Sequence, residues 1–250
     1  MNSKGKVALI TGGSRGIGQA IALKLAQAGA DIAINFLRHR EPAEETAQAI
    51  QNMGRKALVI KANVANEKDV EEIFDQIKNT FGRLDILVSN AASGVLKPAL
   101  KLTLKHWHWT MNINAGALLP LVQGAVPLMP KEGGKIIAVS SLGAVRAIPN
   151  YAAIGASKAA LESMIRHLAS ELAPRGINVN AVSAGVVETE ALKYFPNREE
   201  MIKVSLERTP AGRLVTPQDI ANIVLFLCSD LANMIHGQTI VVDGGYSIVG

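Results

Sequence analysis

The feature that most limits the fold is a regular alternation of short apolar runs with longer amphipathic segments. The apolar runs have the length of buried strands, and the segments between them have helical periodicity. Predicted strands cover residues 6–11, 31–36, 56–62, 85–89, 135–140, 177–183 and 239–242, and predicted helices cover residues 17–28, 42–52, 67–81, 104–129 and 151–173. Strands separated by helices indicate a parallel sheet covered on both faces, which is the doubly wound, Rossmann-like α/β fold.

The domain organisation follows from the continuity of this pattern. No repeat, low-complexity tract or linker interrupts it, so residues 1–250 are predicted to form a single domain. Segment 191–210 departs from the alternation and mixes apolar with charged residues. Because it follows the sixth strand at the edge where such sheets bind ligands, we predict a substrate-binding lid. The alternative is a surface helix and loop that only packs on the domain.

Composition excludes several classes of function. No apolar run reaches the roughly 18 residues that span a bilayer, so no membrane association is expected. The single cysteine, Cys228, cannot form an internal disulfide, which favours a cytoplasmic location. The net charge of +5 is spread without a dense basic tract, which argues against nucleic acid. His106 and His108 are two apart and would point to different faces of a helix, so no metal site is predicted.

A glycine-rich turn follows the first predicted strand and opens the first helix. Gly12 permits a tight turn, while Gly16 and Gly18 let the backbone approach a pyrophosphate closely. The helix start then offers free N–H groups and the positive end of its dipole. The turn therefore predicts a dinucleotide site whose contacts include Gly12, Ser14, Arg15, Gly16, Ile17 and Gly18.

The end of the second strand indicates which dinucleotide is bound. A carboxylate usually stands there when the cofactor has a free 2′-hydroxyl, but residues 35–40 contain no acid. Arg15 and Arg38 instead offer guanidinium groups that pair well with a 2′-phosphate. The prediction is NADPH rather than NADH; the alternative is two solvated arginines.

Further motifs give the chain its resemblance to a known family. They are Asn90-Ala91-Ala92 after the fourth strand, Asn114, Ser141, Lys158, Ala184-Gly185 with Thr189, and Val242-Asp243-Gly244-Gly245 near the end. Together with the glycine-rich turn, they resemble the short-chain dehydrogenase/reductase family over essentially the whole chain.

The resemblance implies roles for residues beside the cofactor. Asn63 and Val64 would contact the adenine side, and Val187 and Thr189 would hold the nicotinamide carboxamide. Asn63 stands where the family frequently has aspartate, and Ala184 where it frequently has proline. Both departures would loosen local contacts without removing cofactor binding.

Other implied roles lie nearer to the chemistry. Asn90, followed by Ala91, would brace the sheet edge beside the cofactor. Asn114 would order a water molecule that connects to Lys158, and Lys158 would hold the nicotinamide ribose hydroxyls.

One departure from the family pattern concerns the proton donor. The family's usual tyrosine lies four residues before the lysine and thirteen after the serine, and here both counts reach Ile154. A tyrosine occurs instead at Tyr151, seven residues before Lys158. On a helix, positions seven apart share a face, and the rise between them is about 10.5 Å instead of about 6 Å. Tyr151 would therefore lie one turn farther from the lysine.

This displacement suits reduction of a carbon–carbon double bond. In a conjugated thioester, hydride reaches the β-carbon while charge collects on the carbonyl oxygen two carbons away. The same Tyr-x6-Lys spacing is found in enoyl-acyl-carrier-protein reductases, and the chain is most similar to the NADPH-dependent class III, which keeps the ordinary glycine turn. The match extends to residues 90–96 and 195–199. Where other enoyl reductases carry a second tyrosine, this chain has Ser141.

The resemblance implies NADPH-dependent reduction of trans-2-enoyl thioesters in fatty acid biosynthesis by a homotetramer. Tyr151 would bond the enolate oxygen, with Ser141 as a further donor, and the substrate would contact Ser93, Leu96, Tyr151, Leu192 and Phe195. An acidic acyl carrier protein would dock on a basic rim formed by Lys193, Arg198, Lys203 and Arg208. The alternatives are a 3-oxoacyl or other short-chain ketone oxidoreductase and a non-enzymatic NADPH sensor.

Overall fold

A single parallel sheet organises the protein. The structure, a computed structural model, describes residues 1–189, 192 and 198–249. The strand order across the sheet is β3-β2-β1-β4-β5-β6-β7, and all neighbouring strands are parallel. The strands are β1 (Val7–Ile10), β2 (Asp31–Phe36), β3 (Ala57–Lys61), β4 (Ile86–Ser89), β5 (Gly134–Ser141), β6 (Ile177–Ala184) and β7 (Thr239–Val242). The predicted doubly wound sheet is confirmed, with strand bounds that differ by one residue at most.

Helices cover both faces of this sheet, each over an apolar cluster. They are α1 (Gly16–Gln27), α2 (Arg40–Asn52), α3 (Glu67–Phe81), α4 (Leu104–Met111), α5 (Leu118–Ala125), α6 (Ala152–Leu172), α7 (Arg198–Arg208) and α8 (Pro217–Leu227). Helices α1, α2 and α8 pack on one face, and α3, α5 and α6 pack on the other. None of the described helices combines the length and apolarity needed to cross a membrane.

The prediction of one continuous helix over residues 104–129 is wrong. Helix α4 ends at Met111, a π-helical turn covers Asn112–Gly116, and α5 begins at Leu118. Pro120 lies in the first turn of α5, where its missing N–H costs no hydrogen bond. The interruption matters for the site because Asn114 lies inside the π-helical turn, a kind of bulge that is frequent at functional sites.

Helix α8 was not among the predicted helices, although the sequence contains its start signal. Thr216 and Asp219 form a reciprocal capping box, and Pro217 takes the first helical position. Its apolar residues pack against α1. The predicted lid segment is described in part: Leu192 is buried, and α7 occupies residues 198–208.

The order of the strands fixes where a ligand can bind. The chain passes from β1 outward to β3 and then returns to β4 on the other side of β1. At such a switch point, the loops that follow the two central strands diverge and leave a crevice at their carboxyl ends. The glycine-rich turn follows β1 and the Asn90 segment follows β4, so both predicted motifs lie at this crevice.

Candidate active site

The glycine-rich turn has the conformation that its glycines predict. Gly12 and Gly16 have φ values of 62° and 56°, in the left-handed region that favours glycine. Gly18 lies within the first turn of α1, and a Cβ atom built there would lie 2.2 Å from the Gly12 carbonyl oxygen. The turn and the helix start are therefore closer together than any other residue type at position 18 would allow.

Polar contacts from the end of β4 hold this turn in place. The Asn90 side-chain amide donates to the carbonyl oxygens of Thr11 at 2.9 Å and Gly12 at 3.1 Å. The backbone N–H groups of Asn90 and Ala91 both donate to the Thr11 hydroxyl. Asn90 thus joins the end of β4 to the glycine-rich turn, and the role beside a cofactor that the resemblance implies for it stays a prediction.

Asn35 is a further contact of the turn that the sequence analysis missed. Its side chain is buried in β2, where its oxygen accepts from the Gly12 N–H at 3.4 Å and its amide donates to the Ala62 carbonyl at 3.0 Å. The Asn35 carbonyl also accepts from the Gly13 N–H. An asparagine within an otherwise apolar strand was the available signal, because a buried polar group needs partners.

The remaining predicted cofactor contacts lie around the same edge. Asn63 begins the turn after β3, where its N–H donates to Asp69 and its side-chain oxygen accepts from the Ala65 N–H, while Val64 is buried beside it. Arg15 precedes α1, and Arg38 follows β2. Both arginines are exposed, and neither forms an ion pair with a described acidic residue.

Residues after β6 close the crevice on its other side. Val187 is buried and forms a parallel bridge with Val215. A Cβ atom built on Gly16 would come within 3.7 Å of the Thr189 side chain, so Thr189 lies next to the glycine-rich turn. The nicotinamide contacts predicted for Val187 and Thr189 stay predictions. Phe195, a predicted substrate contact, lies outside the described residues.

Tyr151 lies just before helix α6 rather than inside it. Its φ and ψ of −107° and 8° make it the N-cap residue, and its carbonyl accepts from the Gly155 N–H at 2.7 Å. The helix that carries Lys158 therefore begins at Ala152, one residue after Tyr151. Tyr151 and Lys158 do not lie on one continuous helix as expected. The phenol hydroxyl donates to the Ser141 hydroxyl at 3.4 Å, a long contact that brings together two of the predicted catalytic residues.

The surroundings of Tyr151 keep its phenol protonated. Burial raises the pKa of Tyr151 above its ordinary value of 10.0, because the phenolate would lose hydration, and the hydrogen bond with Ser141 offsets part of that effect. At neutral pH the group is therefore a hydrogen-bond donor.

Lys158 is buried and contacts strand β5, the strand that also carries Ser141. Its ammonium group donates to the Val139 carbonyl at 2.7 Å. Burial lowers the pKa of Lys158 from 10.5 to about 8, and the Glu162 carboxylate, one helical turn further along α6, offsets part of this shift. Glu162 is itself buried and accepts a hydrogen bond from the Ser140 hydroxyl at 2.5 Å. The sequence analysis did not identify Glu162.

Three consecutive residues of β5 thus contact the residues that could carry chemistry. Val139 meets Lys158, Ser140 meets Glu162, and Ser141 meets Tyr151. The end of one strand therefore aligns a phenol, an ammonium group and a carboxylate. A neutral phenol and an ammonium group are thus both held by the end of β5, and groups of these two kinds can stabilise a developing oxyanion.

Asn114 connects this helix to the segment after β4. Its side-chain oxygen accepts from the Ser93 N–H at 2.8 Å, and its amide donates to the Ser157 hydroxyl at 2.9 Å. These contacts place Ser93, a predicted substrate contact, beside α6. Asn114 is buried and bonds Ser157, the residue before Lys158. Its predicted water link to Lys158 stays a prediction.

Ile154, which stands at the usual tyrosine position, contacts the segment after β4. A Cβ atom built on Gly94 would lie 2.3 Å from Cγ1 and 2.6 Å from Cδ1 of Ile154. The isoleucine therefore packs directly over Gly94. Leu96, two residues further on, is half-buried in the same segment. The segment that contains Ser93, Gly94 and Leu96 therefore lies against the start of α6 at Ile154.

Comparisons with known proteins agree with this architecture. Residues 12–247 match a family model described as enoyl-(acyl carrier protein) reductase. The chain is 42% identical to 1-cyclohexenylcarbonyl-CoA reductase of Streptomyces collinus, covering 98% of this chain and 88% of that one. It is 37% identical to a hydroxynaphthalene reductase-like protein of Metarhizium brunneum, covering 96% and 94%.

Solved structures show the same similarity in three dimensions. A putative short-chain alcohol dehydrogenase of Sinorhizobium meliloti superposes with a TM-score of 0.94 at 34% identity, covering 100% of this chain and 99% of that one. A 7α-hydroxysteroid dehydrogenase complexed with NADH and 7-oxo glycochenodeoxycholic acid has a TM-score of 0.92 at 34% identity, covering 98% and 95%. The chain belongs to the short-chain dehydrogenase/reductase family.

Membership of the short-chain dehydrogenase/reductase family makes this protein an oxidoreductase that binds a nicotinamide cofactor. The residues present fit that group: the glycine-rich turn lies close against the α1 N-terminus, and helix N-termini of this kind bind phosphate. Lys158, on the β5 side of the crevice, would hold the ribose hydroxyls. Against the pattern of this family, Ile154 leaves Tyr151 as the phenol nearest in sequence to that lysine.

Proposed function

We propose that this short-chain reductase reduces the trans-2 double bond of enoyl thioesters with NADPH. The observation that carries the proposal is the contact between the Tyr151 and Ser141 hydroxyls, with an isoleucine at the position usually held by tyrosine. The phenol that contacts Ser141 therefore lies seven residues before Lys158, where the family usually has its tyrosine four residues before the lysine. A donor set back in this way suits a substrate whose oxygen lies two carbons from the hydride acceptor.

The residues of the chain would share the work as follows. NADPH, when bound, supplies the hydride that adds to the β-carbon of the substrate. The Tyr151 hydroxyl bonds the thioester oxygen, on which the resulting negative charge gathers, and Ser141 holds the phenol in that position. Lys158 contributes positive charge near this anion. A proton from solvent then adds to the α-carbon, which completes the saturated thioester.

The Streptomyces relative supports a thioester substrate, because its name describes a reductase of an unsaturated acyl-CoA. The proposal covers both carriers of the acyl group, coenzyme A and an acidic acyl carrier protein. Two residues of the predicted basic rim already have internal partners, since Arg198 pairs with Glu188 at 3.5 Å and Arg208 lies over the Tyr246 ring. Of the other two, Lys203 lies on α7, where it would meet a carrier, and Lys193 lies outside the described residues.

The preference for NADPH over NADH rests on charge. Arg15 is exposed just before α1 and Arg38 is exposed two residues after β2, and residues 35–40 carry no carboxylate. A 2′-phosphate placed between two guanidinium groups gains charge-assisted hydrogen bonds that a hydroxyl does not.

Two broader proposals concern the setting of the enzyme. We propose a cytoplasmic homotetramer whose contacts use exposed apolar side chains. Leu100, Leu104 and Trp107 form one such group around the start of α4. The single cysteine, Cys228, is buried as a free thiol, which suits a reducing compartment. Sedimentation of the purified protein measures the number of subunits directly.

A second candidate function is reduction of a carbonyl group. It is favoured by the Metarhizium relative, whose name describes a hydroxynaphthalene reductase, and by the steroid dehydrogenase with a 7-oxo ligand. In that case the Ser141–Tyr151 pair would bond the oxygen of the carbon that accepts hydride. A cofactor sensor without turnover is the third outcome to be tested.

One assay separates these outcomes. Purified protein with NADPH is offered crotonyl-CoA, acetoacetyl-CoA or crotonyl-acyl carrier protein, and absorbance at the NADPH wavelength is followed. Consumption with the crotonyl thioesters alone is the expected result. Consumption with acetoacetyl-CoA alone identifies a carbonyl reductase, and NADPH binding without consumption of any thioester identifies a sensor. Comparing the two crotonyl substrates also tells which carrier is preferred.

A further inference from the structure

Asn150, immediately before Tyr151, has an uncommon backbone conformation. Its φ is 62°, and no other non-glycine residue among those described has a positive φ. L-amino acids other than glycine avoid this left-handed region, although asparagine tolerates it better than most. The Asn150 side chain forms no hydrogen bond with a described residue, so side-chain bonding does not explain why asparagine stands here. Its backbone conformation does.

The Asn150 carbonyl links this turn to the substrate side of the crevice. It accepts a hydrogen bond from the Lys97 N–H at 3.0 Å. Lys97 directly follows the segment that contains Ser93, Gly94 and Leu96. The residue that precedes the phenol is therefore fixed to the segment on which the acyl chain is proposed to lie.

The Tyr151 ring is held on a glycine surface. A Cβ atom built on Gly143 would lie 2.5 Å from Cε1 and 2.6 Å from Cδ1 of the ring. One built on Gly155 would lie 2.6 Å from the Gly143 carbonyl oxygen, so α6 and the Gly143 turn also lie close together. The Gly143 N–H donates to Ser141 Oγ at 3.2 Å. The ring therefore packs against Gly143 while its hydroxyl reaches Ser141, and the left-handed residue Asn150 comes directly before it as the chain enters α6.

We propose that Asn150 is a positioning residue whose left-handed backbone directs the Tyr151 phenol onto Gly143 and toward Ser141. Gly143 provides the surface that receives the ring, and the bond to Lys97 keeps the turn in register with the substrate segment. The inference rests on the proposed function, in which Tyr151 bonds the thioester oxygen. It adds two residues that act through Tyr151 without touching the reacting atoms.

The test compares Asn150→Gly, which permits the left-handed turn, with Asn150→Ala, which disfavours it. We expect Asn150→Gly to keep kcat within about threefold of wild type, and Asn150→Ala to lower kcat by about tenfold with little change in the KM for crotonyl-CoA or in NADPH affinity. Asn52→Ala, at the exposed end of α2, is the matched control and should leave kcat, the KM for crotonyl-CoA and NADPH affinity unchanged. Equal losses in the glycine and alanine variants would overturn the inference, and so would full activity in Asn150→Ala.

A spectroscopic readout separates this inference from the proposed function. The chain contains three tyrosines, so carbon-13 labelling of tyrosine gives three ring signals, and Tyr151→Phe assigns one of them. We expect that signal to move in Asn150→Ala and to stay in place in Asn150→Gly. If the wild-type protein fails to reduce crotonyl-CoA but the signal behaves this way, the function is wrong and the positioning role stands. An unmoved signal in Asn150→Ala overturns the positioning role alone.

A second variant keeps the inference testable if Asn150→Ala fails to fold. Gly143→Ala leaves the turn at Asn150 untouched but places a methyl group where the Tyr151 ring lies. We expect the assigned ring signal to move and kcat to fall by about tenfold or more, because the phenol leaves Ser141. An unchanged signal and unchanged kcat would show that the ring does not rest on this glycine.

Discussion

Tyr151 and Ile154 are three residues apart, yet they contact different elements. The Tyr151 hydroxyl meets Ser141 at the end of β5, whereas the Ile154 side chain packs over Gly94 after β4. The start of α6 therefore presents a phenol to the strand and an apolar side chain to the substrate segment. This division shows how a phenol still reaches Ser141 although the usual tyrosine position holds isoleucine.

Replacement of Tyr151 by phenylalanine tests the donor directly. We expect kcat for crotonyl-CoA to fall by about 10²- to 10³-fold, the usual effect of removing one donor to a developing oxyanion. NADPH affinity should stay nearly unchanged, because the ring still packs on Gly143. Steady-state kinetics and a fluorescence titration with NADPH measure the two quantities. Tyr246→Phe is the control, since its ring packs under Arg208, far along the chain from α6. Surviving turnover in Tyr151→Phe would show that another group is the donor.

The sequence predicted the sheet and the cofactor turn well because both follow from local patterns. Apolar runs mark buried strands, and the glycines of residues 12–18 permit the left-handed conformations that a tight turn needs. The geometry of the site could be predicted less well from the sequence. Helical spacing placed Tyr151 on the face of Lys158, but the helix begins one residue later, and a left-handed residue, Asn150, precedes Tyr151.

Other parts of the site depend on partners that are distant in sequence. Asn35 bonds Gly12 and Ala62, and Glu162 bonds Ser140, contacts that require the strands and helix to be in place first. The predicted helix over residues 104–129 shows the same limit, because its apolar periodicity continues through the π-helical turn. Periodicity reports which face is buried and does not report a change in hydrogen bonding along the backbone.

Replacement of Glu162 by glutamine tests the electrostatic support of Lys158. Glutamine still accepts a hydrogen bond from Ser140 but removes the negative charge that raises the lysine's pKa. In the wild type, Lys158 loses its proton as the pH rises through about 8, so kcat/KM for NADPH should decline above that pH. In Glu162→Gln the decline should begin at lower pH, with a loss of about three- to tenfold at pH 8. A pH series of initial rates measures this shift.

The control for this series is Glu171→Gln, which removes an exposed carboxylate from the same helix. Its profile should match the wild type. Thermal unfolding of each variant at a fixed pH shows whether the fold is intact. A Glu162→Gln enzyme with the wild-type profile and normal stability would mean that the Glu162 carboxylate does not affect the pKa of Lys158.

The choice of cofactor can be tested at Arg38. We expect Arg38→Ala to raise the KM for NADPH by about 10- to 100-fold, the range for loss of a hydrogen bond to a charged group, while kinetics with NADH change little. Arg15→Ala should act in the same direction. Arg40→Ala is the matched control, because Arg40 is already paired with Glu44 at 2.6 Å on α2. Equal losses with NADPH and NADH would show that Arg38 supports the loop and does not contact a 2′-phosphate.

Replacement of Gly18 by alanine tests the close approach on which cofactor binding depends. The new methyl group would lie 2.2 Å from the Gly12 carbonyl and 2.6 Å from the Asn90 amide, so the turn and α1 must separate. Overpacking of this kind costs about 1–3 kcal/mol of stability. The Asn90 hydrogen bonds to Thr11 and Gly12 would weaken at the same time. We therefore expect a lower melting temperature and an NADPH Kd raised by at least about tenfold.

Gly116→Ala provides the comparison that isolates this effect. Gly116 is exposed at the end of the π-helical turn, and a Cβ atom there would meet only the Met111 carbonyl, at an ordinary 3.6 Å. Both variants add one methyl group to a glycine with an unstrained φ, so they change the unfolded chain equally. Isothermal titration with NADPH should show loss of affinity in Gly18→Ala alone. If the two variants bind NADPH equally well, the contact between Gly18 and Gly12 does not shape the phosphate site.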